Sequence, residues 1–261
     1  MTARARVALL AADSASTRAV YHALAGICPV ELVVLEGRPS RRVFLRNRVR
    51  RLGATEVAGQ LAFQAGIVPV LRALSRQRSR DIARQFGISS EPIPAHLVER
   101  VPSANDDATI ALLQRYEPRV VVVNGTRILS KRLLNAVGAA GATFINMHAG
   151  ITPLFRGVHG GYWALATGQP ENCGVTVHVV DAGVDTGSVL GQARIEPTAA
   201  DNFTTYPLLQ LAAGLPLLRA AVKEALNGDL RTSVGPPGES RQWYHPTAWA
   251  YLRLLHSQGV K

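Results

Sequence analysis

The chain has 261 residues, 47% of them hydrophobic and 18% charged, a balance that excludes disorder and fits a folded protein. That length buries one substantial core, or one core with a small appendage. Lys and Arg number 29 against 18 Asp and Glu, a formal net charge of +11, which favours anionic partners without choosing among them.

In chain order, the apolar run from Arg6 to Ala11 stops before Asp13 and is shorter than the apolar core of a secretory signal, so a buried first strand is expected. A helix near Thr17–Ala25 and a strand at Val30–Leu35 follow, the opening of a parallel α/β sheet. Residues 40–86 break that rhythm. Val43, Leu45, Val49 and Leu52, then Leu71, Leu74, Ile82 and Phe86, recur among arginines and predict an inserted basic helical segment over about 38–90. Between Arg38 and Arg84 the arginines face only Glu56 and Asp81. Such a segment suits a phosphate-bearing small molecule, a polyglutamate tail or nucleic acid, and equally a solvated helix face.

The α/β pattern resumes with a helix at Ala108–Tyr116, a strand at Val120–Asn124, a helix at Ser130–Val137 and a strand at Thr143–Met147. A helix at Gly160–Thr167, strands at Val175–Val180 and Ser188–Ile195, and a long helix at Phe203–Leu226 complete a main domain of residues 1–228. Residues 229–261 read as a short C-terminal tail bearing Trp243, Tyr244, Trp249 and Tyr251. No apolar run approaches the roughly 20 residues of a membrane span, so no membrane contact is expected. Cys28 and Cys173 are too few for a disulfide framework and stand outside any CxxC or metal-type cluster, which points to a cytoplasmic address and no metal.

The chemistry gathers in FINMHAGITPLFRG at residues 144–157. Asn146 and His148, two apart, share one face at the carboxyl end of a strand, where open sheets place their ligands. Downstream, VDAGVDTG carries Asp181 and Asp185 in a loop, and a carboxylate reaching the imidazole favours its charged form. An Asn amide N–H can donate to a developing oxyanion. With no Ser or Cys placed as a nucleophile, the pattern predicts direct acyl transfer to an external amine or water.

NGTRILSKRLL, NMHAGITPLFRG and GGYWALATGQPENCGVTVHVVDAGVDTG together, over about residues 118–196, resemble the catalytic domain of the 10-formyltetrahydrofolate-dependent formyltransferases. That superfamily includes glycinamide ribonucleotide transformylase, methionyl-tRNA formyltransferase and the sugar N-formyltransferases. The resemblance implies a Rossmann-like formyltransferase fold of class α/β, a mostly parallel twisted sheet flanked by helices, here with the basic insertion and a C-terminal extension. It implies Asn146 as oxyanion donor, His148 as general acid/base and Asp185 as the carboxylate that raises the His148 pKa. Arg127, Ile128 and Leu129 take the place of a segment that lines the pterin pocket through its backbone, although the side chains of Ile128 and Leu129 also read as core. Asn146 and the loop residues Val180, Asp181, Ala182, Val184 and Asp185 would close the other side. Arg156 and Gly157 match a basic residue followed by Gly, which reads equally as a buried turn.

The sequence departs from the family in two places. AADSASTR stands where glycinamide ribonucleotide transformylase has a Gly-rich phosphate loop, leaving Ser14, Ser16 and Thr17 to hold a phosphate at a helix N-terminus. Ala149, Gly150, Ile151 and Thr152 replace the usual Pro-Ser-Leu-Leu and are expected to alter the acceptor side. The implied activity moves a formyl group from 10-formyltetrahydrofolate, without metal, to the primary amine of a small metabolite. A nucleotide-linked amino sugar suits the basic segment, and a hydroxylated amino acid is the alternative. Behind these stand formylation of methionyl-tRNA, disfavoured because only a short segment follows the core, hydrolysis of 10-formyltetrahydrofolate, and a non-catalytic binding module. A homodimer is implied by the family alone.

Overall fold

The structure is a computed structural model that describes residues 6–38 and 40–261. β1 (Val7–Ala12) is fully buried from Val7 to Ala11, as befits a strand at the centre of a parallel sheet. α1 (Ala15–Ala25) begins at Ser14, whose hydroxyl accepts the Thr17 N–H, and the chain returns as β2 (Val30–Glu36) beside β1. The insertion then folds as α2 (Arg41–Leu52), α3 (Ala54–Ala62), a π-helical turn at Phe63–Ile67, α4 (Val68–Leu74) and α5 (Arg76–Gln85). β3 (Val98–Val101), α6 (Asp107–Tyr116), β4 (Val120–Asn124), α7 (Lys131–Gly138) and β5 (Thr143–His148) restore the alternation. Next come β6 (Phe155–Gly157), α8 (Gly160–Ala166), β7 (Gly174–Val179), β8 (Val189–Arg194) and α9 (Tyr206–Asn227). β9 (Arg241–Trp243) and α10 (Ala248–Gln258) follow.

Seven strands form the main sheet in the order β3-β2-β1-β4-β5-β7-β8. It is parallel from β3 to β5 and antiparallel at β7 and β8. Strand order reverses at β1, between β2 and β4, which is the switch point where such sheets collect ligands. One face is covered by α1 and α9, with Val20, Leu24, Leu218 and Val222 packed on Leu9, Val122, Ile145 and Val177. The other buries Leu113 and Leu133 from α6 and α7 against Val121 and Phe144.

A third apolar cluster joins the unfamiliar parts to the body: Phe63 and Ile82 of the insertion meet Tyr162, Phe203 and Tyr251. The segment read as a tail is therefore built into the fold. β9 pairs in parallel with β6, Phe155 opposite Arg241 and Gly157 opposite Trp243, and Tyr251 of α10 is 1% exposed. The sequence reading is also corrected on apolar length. Ala54–Leu74 forms 21 residues of near-continuous helix, long and apolar enough to cross a membrane by those two measures, because Gln60 and Gln64 interrupt the apolar string without breaking the helix. Its Val57 and Phe63 are buried while Leu61, Val70 and Leu74 are exposed.

A buried ion pair fastens the insertion. Asp201, 2% exposed, accepts from Arg78 Nε and Nη2 at 2.8 and 2.9 Å and from the Thr198 N–H and hydroxyl at 2.9 Å. Burial pulls the Asp201 pKa up, but the Arg78 and Thr198 hydrogen bonds more than offset it and hold it below the usual range. A carboxylate lowered in this way stabilises the fold above its unfolded pKa and loses that contribution as pH falls through its folded pKa. Asp201→Asn is expected to cost about 2 kcal/mol near neutral pH. The gap in melting temperature between the two proteins should close from about pH 4 downward, and a gap that persists in acid would mean that the ion pair is not its source.

Candidate active site

Strand register sets the site. β5 and β7 run antiparallel with Asn146 opposite His178 and His148 opposite Thr176, so alternation turns Asn146 and His148 to one face. Asp185 arrives from the loop after β7 with φ 52°, a left-handed conformation that Asp tolerates better than most residues. Its Oδ2 accepts the Gly157 N–H at 3.0 Å and lies 3.3 Å from His148 Nδ1. Gly157 has φ 93° and backs onto β9, where a Cβ would come within 2.3 Å of the Trp243 carbonyl. The turn needs glycine on both counts.

His148 is 6% exposed. Its Nε2 donates to the Phe155 carbonyl at 2.7 Å, since a carbonyl can only accept, and Nδ1 is left facing Asp185. Desolvation is the largest influence on this ring and lowers its pKa below 6.5; Asp185 and the Phe155 carbonyl oppose the fall, and His178 and Arg156 add to it. Asp185 thus acts in the expected direction, but the expected net rise is corrected to a net fall. The resting imidazole is neutral. Burial also pulls Asp185 up, yet the Gly157 N–H and the positive charge that its histidine neighbours take on protonation outweigh it and keep the carboxylate below its ordinary range, hence ionised.

His178, quoted within VTVH but given no part by the sequence reading, orients the pair. Its Nδ1 donates to the Val179 carbonyl at 2.8 Å, which leaves Nε2 to accept from Asn146 Nδ2 at 3.1 Å. One amide N–H of Asn146 is thereby committed and the other remains. The same Nε2 stands 3.6 Å from Asp185 Oδ1. The available signal was a histidine two residues after Thr176 in the mostly apolar stretch VTVHVV.

These groups line a cavity of roughly 480 Å³, within the range of small-molecule sites. Arg127, Ile128, Leu129, Asn146, Val180, Asp181, Val184 and Asp185 all reach it, whereas Ala182 points out at the loop tip. The Arg127 side chain turns away to Glu36 at 2.8 Å and to the Gly37 and Pro102 carbonyls. Leu129, 3% exposed, is a core residue, and Ile128, 57% exposed, is not. Of the replaced stretch only Ala149 lines the cavity, while Ile151 and Thr152 are buried. A Cβ at Gly150 would stand 2.3 Å from the Phe155 carbonyl and 2.8 Å from His148 Nε2, so the glycine there serves the imidazole's hydrogen bond. The hydroxyls of Ser14, Ser16 and Thr17 join one another and take the Asn124 amide. Absent from the expectation were Gln242, Trp243 and Tyr244, which form part of the wall.

An Asn-x-His pair and a loop carboxylate thus meet in a cavity at the carboxyl ends of β4 and β5. The chain belongs to the formyl transferase family, whose model matches residues 52–207. It is 33% identical over 174 residues to a methionyl-tRNA formyltransferase of Anaeromyxobacter sp. (strain K), covering 66% of this chain and 54% of that protein. Against the methionyl-tRNA formyltransferase of Myxococcus xanthus it is 37% identical over 121 residues, 46% of this chain and 37% of the relative. The chain spans about half or less of the length of the curated relatives it matches. In fold it is similar to a phosphoribosylglycinamide formyltransferase of Streptococcus pneumoniae, at TM-score 0.53 and 22% identity, covering 85% of this chain and 98% of the other. It is similar also to a sugar N-formyltransferase of a Shewanella species, at TM-score 0.57 and 11% identity, covering 92% and 76%.

Because burial dominates, the His148 ring is expected to titrate below 6.5 by NMR. Asp185→Asn should move its midpoint lower still, since the carboxylate is what resists the fall. A midpoint that rises in the variant would contradict this electrostatic account.

Proposed function

We propose that the protein transfers the formyl group of 10-formyltetrahydrofolate to the primary amine of a small metabolite. The observation that carries this reading is the convergence of Asn146, His148 and Asp185 on one cavity wall, with His178 fixing the Asn146 amide, in a chain of the formyl transferase family. The apolar stretch of Leu129, Val180 and Val184 beside the polar trio fits a flat heteroaromatic head with a reactive carbonyl next to it. When bound, 10-formyltetrahydrofolate supplies an activated formyl carbon.

In this reading the acceptor amine arrives uncharged and its nitrogen bonds to the formyl carbon as the bond from that carbon to the folate nitrogen breaks. The uncommitted Asn146 N–H donates to the formyl oxygen while it gains charge. His148, neutral at rest, takes the proton the amine loses at Nδ1 and returns it to the departing nitrogen. Asp185, ionised 3.3 Å away, steadies the imidazolium in the interval. Among acceptors we favour a nucleotide-linked amino sugar, because the basic insertion folds against the cavity wall at Gln242. A second reading, formylation of an aminoacyl-tRNA, draws on the names of the curated relatives and on the arginines of α2. Salt-dependent tRNA binding at low ionic strength supports it, and no binding there removes it.

Incubation with 10-formyltetrahydrofolate and a panel of amines tests the chemistry. His148→Ala and Asp185→Ala are each expected to reduce turnover by about 10²–10⁴-fold, and turnover unaffected by both would refute the mechanism. In the parent, rate should fall as pH drops through the His148 pKa, below 6.5, where the base becomes protonated.

A further inference from the structure

Part of the cavity wall has no role in the formyl-donor reading. Gln242 and Tyr244 belong to it, and both touch the guanidinium of Arg51. Arg51, in the last turn of α2, donates from Nη2 to Gln242 Oε1 at 3.3 Å and lies 5.4 Å from the centroid of the Tyr244 ring. Arg156, opposite Gln242 in the β6–β9 register, donates from Nε to Ser240 Oγ at 2.8 Å and from Nη1 to the Val184 carbonyl at 3.1 Å. Every one of these acceptors is neutral. A minority of the described arginines have carboxylates, as Arg78 has Asp201, Arg127 has Glu36 and Arg132 has Asp107. Among the described residues Arg51 and Arg156 have none.

Two guanidinium groups without carboxylate partners, each bonded to a residue of the cavity wall from outside its lining, favour an oxyanion that reaches out of the cavity past Gln242 and Tyr244, away from Asp181 and Asp185. The planar guanidinium fork matches phosphate oxygens in particular, and Arg51 keeps its remaining N–H donors unengaged among the described residues. Gln242 and Tyr244 hold the long Arg51 side chain in place beforehand, which reduces the entropy lost when an anion binds.

We infer that Arg51 and Arg156, set around Gln242 and Tyr244, form an anion subsite that holds a phosphate or diphosphate group of the acceptor, with Arg51 as its specificity-determining residue. That the occupant is the formyl acceptor rests on the formyl-transfer reading; that the subsite binds phosphate oxyanions does not.

Isothermal titration of the full chain with inorganic pyrophosphate at low salt provides the test. Arg51→Ala is expected to weaken binding at least ~10-fold and Arg51→Lys to restore part of it. Arg253→Ala, which removes the same charge from the exposed side of α10, should leave binding intact. UDP and glucosamine 6-phosphate in the same titration separate a diphosphate from a monoester occupant. No pyrophosphate binding, or equal losses in Arg51→Ala and Arg253→Ala, overturns the subsite. Arg51-dependent binding confined to a phosphodiester oligonucleotide overturns it too, in favour of a nucleic-acid contact. In the transfer assay Arg51→Ala should raise the acceptor KM and leave kcat and the KM for 10-formyltetrahydrofolate unchanged. Arg51-dependent pyrophosphate binding with no amine formylated leaves the subsite standing and removes the formyl-transfer reading. Formylation with an acceptor KM indifferent to Arg51 does the reverse.

Discussion

An ionised carboxylate held against a desolvated imidazole is the constraint around which this molecule is arranged. Left alone, a buried Asp185 would take up a proton and a buried His148 would refuse one. The Gly157 N–H helps keep the carboxylate charged, and the Phe155 carbonyl fixes the proton of the resting imidazole on Nε2. Each partner has its own structural requirement. Gly157 must adopt φ 93° against β9, Gly150 must lack a Cβ so that the Phe155 carbonyl can approach, and Asp185 must adopt φ 52°. The β5–β7 register then supplies His178 and, through it, the orientation of Asn146.

The same network divides the cavity by origin. The strand-end loops at 127–129 and 180–185 belong to the α/β body, whereas Gln242, Trp243 and Tyr244 come from the C-terminal segment and carry Arg51 of the insertion. The two additions to the body, far apart in sequence, therefore meet at one stretch of wall. The aromatic cluster of Phe63, Phe203 and Tyr251 stabilises that meeting from behind.

Much of the architecture was legible in the sequence because the central strands are apolar on both faces and the helices between them carry ordinary signals. Val120–Asn124 was found to the residue. The strands that escaped, β3, β6 and β9, are three or four residues long and gain their pairing only from tertiary contact. The spacing of Asn146 and His148 foretold a shared face, and the downstream loop foretold a carboxylate near the imidazole. The sign of the His148 shift was not legible, because desolvation is a property of the packed site and a motif records only the partner charge. The substitution of Gly150 in NMHAGIT read as a change on the acceptor side, but it answers to a backbone carbonyl that only the folded chain brings near.

β6 and β9 join segments distant along the chain; the Arg156–Ser240 hydrogen bond beside them links residues 84 positions apart. Contacts of such separation carry the loop-closure entropy of the intervening chain. The strand-end loops and the opposite wall of the cavity are thus brought together by closures of very different length along the chain. Residues 241–244 are tied to the site all the same, because their pairing with β6 sets the Gly157 N–H that holds Asp185.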